Sequence, residues 1–137
     1  RGAAPMQRAA VALVQEEPTH AETGALQAEF RKKRDFLVGG LKDLGVRFDL
    51  EPEGTFYAWG DLSALPKSLR NSDDFFQAGL DRKVICVPGH FFDVNPGKRR
   101  TGRPSRFVEH VRFSFGPPMA VLEEALDRLR SMVAEAG

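Results

Sequence analysis

The stretch that most constrains the fold is residues 110–116, His-Val-Arg-Phe-Ser-Phe-Gly, which precedes two prolines and an amphipathic C-terminal tail. Successive side chains of a β-strand point to opposite faces of the sheet. Val111, Phe113 and Phe115 are therefore predicted to face a core, and the residues between them, Arg112 included, face the other way. The pattern predicts a strand that holds one guanidinium group on a rigid element.

The guanidinium of Arg112 suits an anion, because arginine is always charged and its planar fork can bind a carboxylate or a phosphate through two parallel hydrogen bonds. From this strand alone, an anion site is the minority interpretation. An arginine on the polar face of a half-exposed strand is more often simply solvated. The rest of the chain has to decide between the two interpretations.

The length of 137 residues and the 42% hydrophobic content suit a single globular domain. Twenty basic against nineteen acidic residues give a net charge of +1, which favours neither nucleic acid nor an acidic membrane as a partner. The sequence has no apolar run of the ~20 residues that a membrane span needs, and its first residues lack the apolar core that is typical of a signal peptide. We expect a cytoplasmic protein, and we interpret the start at Arg1, without methionine, as part of a longer polypeptide.

The single cysteine, Cys86, lies in the apolar run 84–87. We interpret it as a buried structural thiol, because a cysteine in such surroundings is rarely a nucleophile or a ligand. One cysteine cannot form an internal disulfide, which fits a reducing compartment.

The N-terminal part is predicted to be helical. Residues 5–15 are rich in helix formers, and Pro18 is predicted to end this lead-in helix within residues 1–20. A longer helix is predicted over residues 22–44, with Gly45 as its C-terminal cap. The pair Gly39-Gly40 inside it either admits a close neighbour or breaks the helix, and both alternatives stay open.

The central part is predicted to hold three strands. Residues 46–50 alternate in the manner of a strand with one buried face, and residues 55–59 form a second strand that ends at Gly60-Asp61, so the two can pair as a hairpin. Residues 84–87 are apolar on both faces, which predicts an interior strand. The pair Pro88-Gly89 ends this strand.

Two further helices complete the prediction. Residues 61–72 form a loop, and a helix over residues 73–83 is capped by Ser72 or Asn71. Pro117-Pro118 begins the last helix, whose inward positions are Leu122, Leu126, Leu129 and Val133. Residues 1–137 are thus predicted to form one α+β domain. After the lead-in helix, residues 22–137 follow the order α-β-β-α-β-β-α, with a small, mostly antiparallel sheet covered by helices.

Several kinds of site are not expected. The histidines at positions 20, 90 and 110 lack a paired metal-ligand spacing, and there is no Cys-x-x-Cys, so we expect no metal. No glycine pattern of a dinucleotide site or a P-loop occurs. Ser114, His110 and Asp93 do not suggest a hydrolytic triad, because Ser114 and His110 lie four residues apart on one strand, at ~3.3 Å of rise per residue.

Two loop segments are weaker candidates. Residues 98–106 carry five positive charges but no interleaved aromatic residues, so a solvated loop is favoured over a nucleic-acid site. His90, Phe91 and Phe92 follow directly after a predicted strand, where ligands often bind. Two adjacent phenylalanines are, however, more often part of a core.

Three segments together resemble a known family. They are residues 52–59, Pro-Glu-Gly-Thr-Phe-Tyr-Ala-Trp; residues 84–92, Val-Ile-Cys-Val-Pro-Gly-His-Phe-Phe; and residues 110–115, His-Val-Arg-Phe-Ser-Phe. Their order and intervals, with a long helix before them and an amphipathic helix after them, resemble the C-terminal part of a class I/II (fold type I) aminotransferase that depends on pyridoxal 5'-phosphate (PLP). The resemblance covers nearly the whole chain.

The resemblance implies that Arg112 binds the α-carboxylate of an amino acid or a 2-oxo acid, in an enzyme of amino acid metabolism or biosynthesis. It further implies a large PLP-binding domain in the same polypeptide, a small domain to which this chain belongs, and an active site completed in a homodimer. Under this interpretation PLP is bound by the missing large domain.

The family's Schiff-base lysine, in a Ser-x-x-Lys stretch, and its Gly-x-Arg-x-Gly phosphate region are both absent from this chain. Its lysines occur in surface-like contexts: Lys32, Lys33, Lys42, Lys67, Lys83 and Lys98. We therefore expect no catalytic and no cofactor-binding residue here, and a chain that is inactive alone. The basic insertion between Phe92 and His110 is longer than the family leads us to expect. The alternative is a free-standing α+β module that binds an anionic partner through residues 98–106.

Overall fold

The structure, a computed structural model, describes residues 8, 10, 11, 16–94 and 102–137. The chain divides into two compact units, Arg1–Lys32 and Lys33–Gly137. The described residues of the first unit are all helical. The predicted helix over residues 5–15 lies mostly outside the described residues.

The described chain contains an antiparallel sheet of strand order β1-β3-β2 together with α-helices, so the predicted α+β class is confirmed. Its elements are α1 (Glu16–Asp43), β1 (Tyr57–Asp61), α2 (Ser72–Asp81), β2 (Val87–Pro88), β3 (His110–Ser114) and α3 (Met119–Ala136), with 3₁₀ turns at Lys67–Leu69 and Gly89–Phe92. None of the described helices combines the length with the apolar character that a membrane-spanning helix requires.

Helix α1 begins earlier than predicted. Pro18 was predicted to end the lead-in helix, but it lies in the first turn of α1. The first N–H groups of a helix have no partner within it, so a proline there removes no hydrogen bond. The C-terminus of α1 is as predicted. Gly45 has a φ of +97°, its N–H donates to the carbonyl of Lys42 at 2.9 Å, and the N–H of Val46 donates to that of Leu41 at 3.0 Å.

The pair Gly39-Gly40 does not break α1; it admits a close neighbour at one of its two positions. A Cβ atom on Gly40 would lie 2.5 Å from Cδ1 of Leu126, which is fully buried on α3. A Cβ atom on Gly39 would have no atom within 4 Å. Gly40 therefore lets α1 and α3 approach each other closely.

The first predicted hairpin is mostly wrong. Residues 46–50 make only an isolated antiparallel bridge, between Arg47 and Asp61, and Leu50 is 85% exposed. Strand β1 begins later than predicted, because Thr55 has a φ of +61° and cannot continue an extended strand. Strand β1 was predicted to stop at Gly60-Asp61, but it runs through Gly60 to Asp61. The extension occurs because Asp61 pairs with β3 on one side and with Arg47 on the other.

The interior strand is β3, not residues 84–87. Val111, Phe113 and Phe115 are buried, as their alternation predicts, and β3 pairs with both β1 and β2. In the segment 84–87 the residue Ile85 is 78% exposed, so this segment has only one buried side. Strand β2 is short and lies at the sheet edge, where Pro88 is tolerated because an edge strand leaves some N–H positions unpaired.

The two later helices follow the prediction closely. Asn71 caps α2, since its side-chain oxygen accepts a hydrogen bond from the N–H of Asp73 at 2.8 Å. Helix α3 begins at Met119, directly after the two prolines. Its fourth buried position is Met132 rather than the predicted Val133, which is half-buried. The shift keeps the buried stripe on one side of a helix with 3.6 residues per turn.

The two adjacent glycines of α1 provide a matched test of helix packing. We expect Gly39→Ala to stabilise the chain by about 0.5–1 kcal/mol, because alanine favours a helix and the added methyl group meets nothing. Gly40→Ala should be less stable than Gly39→Ala by about 1–3 kcal/mol, because its methyl group overlaps a buried leucine. Urea unfolding of both variants measures the difference, and equal stabilities would contradict the close packing of α1 on α3.

Cys86 is 4% exposed, and burial raises the pKa of its thiol to about 12. At pH 8 the folded protein should therefore react with a thiol reagent about a hundredfold more slowly than the protein unfolded in guanidinium chloride. In the unfolded chain the pKa of a cysteine thiol is ~8.5. The neutral thiol therefore contributes fully to the stability of the folded state below that pH, and this contribution is lost as the pH rises towards 12. Equal labelling rates in the two states would show that the thiol is accessible.

Candidate functional site

The candidate site is the sheet face opposite the core, where Arg112 projects from the central strand β3. Arg112 is paired with Trp59 of β1 on one side and with Val87 of β2 on the other. Directly paired residues of antiparallel strands share a face, and so do residues two apart along one strand. We call this surface, formed by Tyr57, Trp59, Val87, His110 and Arg112, the Arg112 face.

The guanidinium of Arg112 contacts two aromatic rings. Its Cζ atom lies 4.0 Å from the ring centroid of Tyr57 and 4.5 Å from that of Phe92. Both distances are within the range in which the negative face of a ring attracts a cation. No hydrogen bond or ion pair joins this guanidinium to any residue that the structure describes.

Phe92 reaches Arg112 because the 3₁₀ turn Gly89–Phe92 lies directly against β3. A Cβ atom on Gly89 would be 2.6 Å from the carbonyl oxygens of both His110 and Phe107, so only glycine permits this approach. The ring of Phe92 also packs edge-on against Trp59, with their centroids 5.5 Å apart. The turn thus carries Phe92 onto the Arg112 face.

Trp59 is the centre of the aromatic packing beside Arg112. Phe107 packs edge-on against it at 5.2 Å, and His110 stacks on it at 5.7 Å with an interplanar angle of 25°. The Nδ1 atom of His110 is buried and has no hydrogen-bond partner among the described residues. His110 therefore serves as a packing residue here.

The three candidates of the turn behave differently from one another. Only Phe92 contacts Arg112. His90 faces α2, with its Nδ1 atom 3.5 Å from an Asp73 carboxylate oxygen, and Phe91 is 70% exposed. Among the described residues, the structure thus assembles Arg112 and Phe92 from the predicted set and adds Tyr57 from β1.

Tyr57 and Trp59 were not singled out from the sequence as site residues. Their alternation was visible in the run Thr-Phe-Tyr-Ala-Trp, but the sequence cannot give the register that sets Trp59 opposite Arg112. An aromatic residue on a strand is compatible with a core or with a site. Only the pairing with β3 distinguishes the two.

The basic insertion is described only in part, because Lys98, Arg99 and Arg100 lie outside the described residues. At its C-terminal end, Ser105 Oγ donates a hydrogen bond to Asp93 Oδ2 at 2.8 Å, and Arg106 lies 3.9 Å from the same carboxylate group. This end of the insertion is therefore anchored next to Phe92.

Metal binding and hydrolytic catalysis find little support in the described part of the chain. It contains no group of three or more His, Cys, Asp or Glu side chains that could hold a metal ion. Two of the three residues weighed as a hydrolytic triad have other partners, since Asp93 binds Ser105 and the hydroxyl group of Ser114 accepts from the N–H of Gly116 at 3.3 Å. The arrangement on the Arg112 face suits the binding of an anion.

Comparison with known proteins identifies the family. A model of the family described as aminotransferase class I and II matches residues 2–129. The aspartate aminotransferase of Thermotoga maritima is 34% identical over 106 residues, which are 76% of this chain and 22% of that protein.

Solved structures agree with this match. An aspartate aminotransferase mutant of Thermus thermophilus superposes with a TM-score of 0.69 at 26% identity, over 88% of this chain and 29% of that one. The N-succinyldiaminopimelate aminotransferase of Mycobacterium tuberculosis gives a TM-score of 0.73 at 26% identity, over 96% of this chain and 31% of that one. The chain thus spans less than a third of the length of each of these proteins. With a family match over almost all of its residues, the chain belongs to the class I and II aminotransferases.

Proposed function

We propose that this chain is the C-terminal small domain of a PLP-dependent aminotransferase, which transfers an amino group between an amino acid and a 2-oxo acid, and that Arg112 binds the substrate α-carboxylate. The observation that carries the proposal is the guanidinium itself. It is held on the central strand, and its N–H groups make no hydrogen bond to any described residue.

A carboxylate is the group that both kinds of substrate share. In an amino acid and in its 2-oxo acid, it is attached to the carbon that gains or loses the amino group. A guanidinium that binds it with two parallel hydrogen bonds fixes both the position and the orientation of that carbon. One arginine can therefore serve both directions of the transfer.

The surroundings of Arg112 favour such binding. The side chain is half-buried among aromatic rings, where fewer water molecules compete for its N–H groups. A hydrogen bond between charged groups is stronger where the local dielectric is low. An incoming carboxylate would meet a preorganised partner rather than a mobile surface arginine.

The cofactor belongs to another part of the enzyme under this proposal. When bound, PLP supplies the electron sink for amino transfer, and it needs a lysine for attachment. Four of the described lysines, Lys32, Lys42, Lys67 and Lys83, are exposed and Lys33 is half-buried. None is buried in an apolar pocket as an attachment lysine is, so the described residues do not fit the cofactor.

We further propose that a large domain of the same polypeptide binds PLP and that the active enzyme is a homodimer. The family supports both statements, and the chain's coverage of less than a third of its relatives supports the first of them. The cytoplasmic location stays a prediction from the sequence.

The alternative of an anion-binding module built on residues 98–106 also stays a prediction from the sequence. No contact of the described residues favours this alternative, because Arg106 is paired with Asp93.

The role of Arg112 is tested by Arg112→Ala in the full-length enzyme. Loss of two charge-assisted hydrogen bonds should raise the KM for the amino acid and for the 2-oxo acid about a hundredfold. Arg112→Lys should recover only part of the loss, because an ammonium group keeps the charge but not the planar fork. Steady-state kinetics with both substrates measures these effects.

Arg130→Ala is a matched control for the loss of an arginine. Arg130 lies on α3, is half exposed, and pairs with Asp127. Its removal should leave both KM values within about twofold, as expected for a surface ion pair. If Arg112→Ala behaved like this control, the proposed role would be wrong.

A separate prediction concerns the chain alone. Supplied with PLP, an amino acid and a 2-oxo acid, the 137-residue chain should give no amino transfer, because none of its described lysines suits the cofactor. The full-length enzyme in the same assay is the positive control. Turnover by the chain alone, abolished by replacing one of its lysines, would overturn the proposed division of roles.

A further inference from the structure

The geometry points to Tyr57 and Phe92 as positioning residues for Arg112, and we propose that they hold its guanidinium by ring contacts so that its N–H groups stay available to the substrate carboxylate. We call this pair the aromatic clamp. The inference rests on the proposed function, and it assigns to two further residues a part in substrate binding.

A guanidinium group can be held in two ways. A carboxylate partner binds its in-plane N–H groups, which are the same groups that a substrate carboxylate needs. An aromatic ring instead attracts the cation through its negative face and needs none of those N–H groups. A binding arginine held by rings therefore stays both ordered and ready to bind.

Other arginines of this chain show the first arrangement. The following arginines each form an ion pair with a carboxylate: Arg34, Arg47, Arg82, Arg106, Arg128 and Arg130. Arg112 differs, because its contacts among the described residues are the rings of Tyr57 and Phe92. This difference distinguishes the arginines that form ion pairs from the arginine that we propose binds a ligand.

The two rings are fixed by different parts of the fold. Tyr57 is the first residue of β1 and is paired with Ser114 of β3, two residues beyond Arg112. Phe92 is carried by the 3₁₀ turn that lies against β3, and its ring packs on Trp59. Because both supports rest on β3, they hold the clamp in a constant position relative to Arg112.

The test uses the full-length enzyme and the variants Tyr57→Leu and Phe92→Leu, which keep an apolar side chain but remove the ring. The probes are the preferred amino acid, the carboxylic acid that lacks its amino group, and the amine that lacks its carboxylate. We expect each variant to weaken competitive inhibition by the carboxylic acid about fivefold to tenfold. Inhibition by the amine should change by less than about twofold, because Arg112 does not contact it.

Two further variants serve as controls. Tyr57→Phe keeps the ring and removes only the hydroxyl group, so it should retain inhibition by the carboxylic acid. Phe107→Leu removes a ring that packs on Trp59, but no contact joins Phe107 to Arg112. It should leave the inhibition by both probes unchanged, which separates the clamp from general aromatic packing.

Each outcome decides a stated point. The clamp is overturned if both leucine variants weaken inhibition by the carboxylic acid and by the amine equally, or if they weaken neither. If Arg112→Ala raises KM while the leucine variants act like Phe107→Leu, the clamp fails and the role of Arg112 stands. If Arg112→Ala itself has no effect, the proposed function fails. Should Phe92→Leu not fold, Tyr57→Leu alone carries the test, because Tyr57 lies at the start of its strand and is half-buried.

Discussion

The pairing of β3 with both of its neighbours is the interaction on which the rest of the structure depends. One side of this strand buries Val111 and Phe113 and continues into the buried Phe115, so the core fixes the strand in place. The other side presents Arg112 between strands that supply Trp59 and Val87. The hydrophobic energy that secures the first side therefore also makes the second side rigid, and a rigid guanidinium loses little freedom when it binds an anion.

Close backbone approaches extend this organisation. Gly40 lets α1 contact Leu126 of α3, and Gly89 lets the 3₁₀ turn lie against the carbonyl groups beside β3. In both places a side chain would hold the elements apart. The first approach closes the core, and the second brings Phe92 to Arg112. A substitution at either glycine would thus act through distances between elements rather than through a lost contact.

In the function that we propose, this domain binds the substrate carboxylate and carries out no covalent step of the amino transfer. Its Arg112 face offers a cation and aromatic surfaces, which suit recognition of a carboxylate. Its described lysines are exposed or half-buried, and its thiol is buried, so neither is prepared for covalent chemistry. Membership of the class I and II aminotransferases agrees with such a division of work, because this chain covers less than a third of each of the relatives compared above.

The sequence by itself determined those features that depend on local periodicity and local caps. The alternation in β3, the cap at Gly45 and the start of α3 after two prolines follow from residues close together in the chain. The tertiary structure alone decided which strand is central, that residues 46–50 form only a bridge, and that Tyr57 and Phe92 meet at Arg112. These features depend on strand register and on contacts between distant segments. Apolar runs such as residues 84–87 are compatible with several such arrangements, and packing selects one of them.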